Sequence, residues 1–184
     1  GYGVSLLGGG TITTDTTFLN TGAITIGDGT GDTTTFTGGL DMTAGGSENL
    51  AGTIIATNQQ IDVGAANVSA DATIDGGSGA INLGAMTLSD GATLTVGVGS
   101  ANQIALDAIS GTASGTASNL TLNTTGTASV GAVGTDLGTV TVTQSGGTTF
   151  SSTVDAATVA ITDTAVSQAV SFSDNLTLTS GLTV

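Results

Sequence analysis

The sequence predicts an all-β chain folded as a parallel β-helix, or β-solenoid, forming a single domain over residues 1–184. Three observations carry that expectation. A short unit opening on an apolar, small, apolar triplet recurs from one end of the chain to the other. Glycine and β-branched residues abound while proline is absent. No stretch shows the three-and-four apolar spacing of an amphipathic helix.

The triplets can be followed in order: Val4–Leu6, Ile24–Ile26, Leu40–Met42, Ile61–Val63, Ile81–Leu83, Ile104–Leu106, Leu120–Leu122, Val140–Val142, Val159–Ile161 and Leu176–Leu178. Side chains on a strand alternate between its faces, so each triplet puts two apolar groups on one side and a short residue on the other. The intervals average about 19 residues, which predicts about nine rungs. Between the triplets lie further patches of strand character, ending at Phe36, Val96, Val133, Phe150 and Phe172. Gly, Asn and Asp gather at the joins, as in residues 27–32, 45–48, 75–80 and 144–147; these residues tolerate the left-handed conformations of tight corners. A lone rung buries too few aliphatic groups to offset its lost conformational entropy, so rungs must stack. The first residues of the triplets are expected to form one inward column from Ile24 to Leu176, and the third residues a second from Ile26 to Leu178.

Charge narrows the partners. The net charge is −14, with no Lys, Arg or His. Nucleic acids and anionic bilayers are held by cationic side chains, so neither is an expected partner. Without cysteine there is no disulfide framework or thiolate metal site. No apolar run is long enough for a membrane-spanning helix, and one Tyr and four Phe cannot build the aromatic girdles of an outer-membrane barrel. Membrane insertion is not expected.

The units from Val140 to Leu178 resemble the degenerate repeats of very large bacterial surface proteins of the filamentous haemagglutinin and autotransporter-passenger type. The resemblance is one of pattern and composition and spans nearly the whole chain. It implies a right-handed parallel β-helix, secretion to the cell surface, and a role as adhesin, stalk or fibre. The usual handedness of parallel crossovers agrees. The missing basic residues separate this chain from relatives that hold sulfated glycans, and no catalytic residue carries over.

The chemical inventory is carboxylates, hydroxyls, amides and one phenol. General acid–base and nucleophilic catalysis recruit His, Lys, Arg or Cys, so no enzyme and no cofactor are expected. Calcium is the best-motivated ligand, with Asp41 and Asp62 in consecutive triplets and Asp28 and Asp32 beside flexible glycines as candidate ligands. The competing expectation is that these carboxylates shape corners and keep the surface soluble. The middle residues of the triplets include Thr25, Thr121, Thr141 and Thr177 but also Asp41, Asp62, Asn82, Ala105 and Ala160. Such a mixed column argues against an ordered threonine surface for ice. Glycosylation sequons occur at Asn67, Asn119, Asn123 and Asn175.

The sequence thus predicts a non-enzymatic, extracellular or cell-surface solenoid with a structural or adhesive role. The alternatives are a subunit of a filament or sheath stacked end to end, and a calcium- or glycan-binding module. Self-association or a longer parent chain would cover the ends, and a surface glycan or protein would be the receptor.

Overall fold

The computed structural model describes residues 1–184 and contains no helix. Its nineteen strands join in one continuous sheet, and the strand pairings are parallel throughout, from Val4 on Ile24 to Val159 on Leu182. The chain is a β-solenoid of about 8 turns, with equivalent positions about 22 residues apart. At about 4.8 Å per turn the stack is about 38 Å long.

Each turn has three sides, here faces I, II and III in chain order. In the third turn, Ser47–Ala56 forms faces I and II by bending across the corner between them, and Ile61–Val63 forms face III. On face I the inward column runs Val4, Ile24, Glu48, Ala66, Met86, Ile109, Val133, Val154 and Leu176. On face II it includes Ile54, Ile74, Val96, Leu122, Val142 and Ile161. On face III it includes Leu40, Ile61, Ile81, Ile104, Ala128 and Thr148.

The three faces differ in what they turn outward. Face I alternates among Thr25, Asn49, Asn67, Thr87 and Ser110. Face III shows Thr17, Asp41, Asp62, Asn82, Ala105, Ser129 and Thr149. Face II repeats threonine: Thr33, Thr53, Thr73, Thr95, Thr121 and Thr141 follow one another before Ala160 interrupts.

Parallel stacking is therefore as expected, while the count is corrected from nine rungs of about 19 residues to about eight of about 22. The cause is specific. Val4 and Ile24 lie on face I, Leu40 to Ile104 on face III, Leu120 to Val159 on face II, and Leu176 on face I again. Three steps of the triplet walk, into Leu40, Leu120 and Leu176, cross only two sides of a turn. Six full turns and three of two-thirds make eight, so the nine intervals close on the observed number. The two predicted inward columns are thus segments of three different stacks. Inward direction was nevertheless correct: Ile24, Met42, Ile61, Ile81, Leu106, Leu120, Val142 and Val159 are all buried, whereas Leu176 in the last turn is 37% exposed.

The core holds few large groups. Phe150 and Phe172 stack on face III in consecutive turns, with ring centroids 4.9 Å apart and planes 3° from parallel. In-register parallel pairing requires this arrangement, because like side chains then lie one above another. Two corners show why glycine is needed. Gly27 and Gly97 adopt φ of +73° and +80°, and a Cβ there would run into the carbonyl oxygens of Ala51 and Asn123 in the adjacent turn. Corners also absorb polar groups: the buried Thr124 hydroxyl donates to the Asn102 carbonyl at 2.6 Å and accepts from Gly126 N–H at 2.9 Å.

Candidate functional site

Face III holds the only concavities of the molecule. Three shallow hollows of about 680, 400 and 320 Å³ share residues end to end. Asp62 belongs to the third and second, Asn82 and Ala105 to the second and first. The result is one open groove running along the stack from Asp15 to Ser171. Its floor is the outward column of face III. One wall is the corner bearing Gln59, Gln60, Gln103 and Gln168, and the other bears Thr43, Gly64, Gly84 and Asp107. The first half is carboxylate and amide; the second is hydroxyl, with Ser129, Thr149 and Ser171.

Two of the predicted calcium ligands lie on this floor. Asp41 and Asp62 are register partners in adjacent turns, as the spacing of the triplets implied. The strain of neighbouring carboxylates is met by neutral donors. Asp62 Oδ1 accepts from Asn82 Nδ2 at 2.7 Å, and Gln60 Nε2 donates to both oxygens of Asp62 at 2.9 and 2.8 Å. Asp41 Oδ1 accepts from the Thr43 amide at 3.0 Å and the Thr43 hydroxyl at 2.8 Å. Both carboxylates are thus engaged by neutral donors of the protein itself.

The other two candidates sit elsewhere, at the corner between faces I and II. Asp32 closes the turn that begins at Asp28: its Oδ2 accepts from the backbone N–H groups of Asp28 and Gly29, both at 2.9 Å. These two bonds favour the ionised form and hold the Asp32 carboxyl below its ordinary value. The structure therefore brings Asp41 to Asp62 and keeps Asp28 and Asp32 apart from them. No group of three or more acidic or metal-ligating side chains converges anywhere in the molecule.

One carboxylate escaped the sequence reasoning altogether. Glu48 occupies an inward position of face I, between Ile24 and Ala66 in the stack, and is 2% exposed. Its Oε2 has no hydrogen-bond partner. Burial pushes its carboxyl up from 4.5 to about 7; the Gly64 amide opposes that shift, and the Asp41 charge adds to it. Gly64 lines the groove, and a Cβ there would stand 2.9 Å from Glu48 Oε1. The Glu48 carboxyl is thus separated from the groove by one glycine. The sequence signal was its position 24 residues after Ile24, a full turn away, where an aliphatic residue belongs.

The groove can offer hydrogen bonds along its length from carboxylates, amides and hydroxyls. It pairs one hydroxyl with a carboxylate, Thr43 on Asp41, and holds no Lys, Arg or His side chain. No family model matches the chain, nor does any curated protein or solved structure.

Proposed function

We propose that the chain is a non-enzymatic, extracellular β-solenoid that serves as a rigid, adhesive segment of a bacterial cell-surface protein. The observation that carries this reading is the unbroken axial stack: about 8 turns of parallel strands on an aliphatic core. Such a stack sets a fixed distance and presents long parallel faces. The polar groove of face III supports the adhesive part, since its amides, carboxylates and hydroxyls suit the hydroxyls of a neutral glycan. A net charge of −14 disfavours an acidic one.

A parallel stack of this kind can be one stretch of a longer solenoid or a subunit that stacks on a second copy. In electron micrographs, isolated rods would favour the first arrangement; continuous polymers with a subunit repeat near about 38 Å would favour the second.

The test is surface labelling of intact producing cells with antibody to the chain, followed by retention of chain-coated beads on an array of neutral and acidic glycans. Labelling without permeabilisation and retention on neutral glycans are expected. Labelling only after permeabilisation overturns the extracellular assignment, and turnover of a retained glycan overturns the non-enzymatic one.

A further inference from the structure

Face II carries an order that the other two faces lack. Six successive turns place Thr33, Thr53, Thr73, Thr95, Thr121 and Thr141 at one outward position in continuous register. Over the same turns the outward position of face I is threonine only at Thr25 and Thr87, and that of face III only at Thr149. Strand preference would act on all three faces alike. Packing does not demand the threonine either, because the inward neighbours range from Gly52 and Ile54 in one turn to Leu120 and Leu122 in another. The constant residue answers to something outside the molecule.

Two independent features indicate what that is. The threonine hydroxyls that bond within the protein are those of Thr16, Thr43, Thr112, Thr124 and Thr148, so all six in the face II column are free of protein partners. No hollow interrupts face II either, since those of the molecule lie on face III. In the later turns a second row runs beside the first, with Thr93 next to Thr95, Asn119 next to Thr121 and Thr139 next to Thr141.

We propose that face II binds ice. The backbone ladder spaces the hydroxyls about 4.8 Å apart along the stack, and the second row lies about 6.7 Å away along each strand. Threonine is stiff at χ1, so the array is ordered before it meets a ligand. Each hydroxyl gives one hydrogen and accepts two, and the adjacent methyl excludes disordered water. A fixed, two-dimensional array of this kind matches a surface whose water oxygens already repeat in two dimensions; a flexible polymer would have to be ordered first. Neither the groove of face III nor a cell-surface setting is required.

Slow directional freezing of the purified 184-residue chain, with recovery measured in the ice and in the liquid, tests the proposal together with microscopy of single ice crystals. The chain is expected to concentrate in the ice and to facet the crystals. Thr95→Lys with Thr121→Lys is expected to abolish both effects, while Thr25→Lys with Thr87→Lys on face I keeps them. Circular dichroism and melting confirm that each variant is folded; if the double variant melts early, Thr121→Lys alone gives the same reading. Exclusion of the unsubstituted chain from ice overturns the proposal. Equal loss in the face I variant also overturns it, as does retention on crystalline cellulose without entry into ice.

Discussion

The inside and the outside of this solenoid obey different rules although single residues separate them along every strand. Inside, the stacks accept any aliphatic group: the face I column passes from Ile24 through Ala66 to Met86 and Ile109 with no preferred shape. Outside, faces I and III drift among Asn, Ser, Thr and Asp, while face II holds one residue type through six turns. In a stacked fold the interior asks only for apolar volume repeated at the right interval. Uniformity is informative where stability does not require it, and here that place is an exterior column.

Substitutions can break or sharpen this contrast. The largest loss is expected at Phe150, fully buried and stacked on Phe172. Phe150→Ala should cost about 3–5 kcal/mol in chemical denaturation. Its outward neighbour Thr149→Ala should stay within about 0.5 kcal/mol, and equal losses at the two positions would erase the distinction.

Glu48 is an exterior kind of residue placed inside, so its removal should stabilise. Below about pH 4.5 its carboxyl is neutral in both folded and unfolded chains, so its titration takes nothing from stability. Between pH 4.5 and about 7 only the unfolded chain ionises, so folding stability falls as pH rises, and above about 7 the loss is complete. Glu48→Met should therefore gain about 2–3 kcal/mol at pH 8 and flatten the decline. An unchanged pH slope in the variant would place the titrating group elsewhere. Gly97, where inside and outside meet at a corner, should resist a side chain. Gly97→Ala is expected to cost about 1–3 kcal/mol, because the φ of +80° and the Asn123 carbonyl both oppose a Cβ. The smallest effect belongs to the exterior. Asp62→Asn should shift stability by no more than about 0.5 kcal/mol, with the same melting midpoint in calcium and in chelator. A calcium-dependent midpoint in the unsubstituted chain that this change removes would instead make Asp62 a calcium ligand.

The alternation of the triplets shows which of their residues point inward but not the side of the turn on which each triplet lies. Ile24-Thr25-Ile26, Leu120-Thr121-Leu122 and Ile61-Asp62-Val63 read alike, yet they belong to faces I, II and III. Local alternation says which way a side chain points and nothing about which corner preceded it. A column drawn through the triplets alone mixes the faces and hides the threonine row, because it sets Thr121 and Thr141 beside Asp62 and Ala105, whereas their stack continues to Thr95, Thr73 and Thr53. The adjacency of Asp41 and Asp62 was readable because both triplets lie on face III at one full turn. The groove they line was not, because a hollow depends on how the corners on either side stand above the strand.

The near-equivalence of the three sides has a consequence for how such a chain can vary. An insertion of about seven residues at a corner, a third of the turn of about 22, would hand every later strand to the next side. The aliphatic interior would close as before, but each downstream exterior row would join a different neighbour. A gene encoding this architecture can thus redraw its exposed pattern by slippage alone, leaving every existing codon intact.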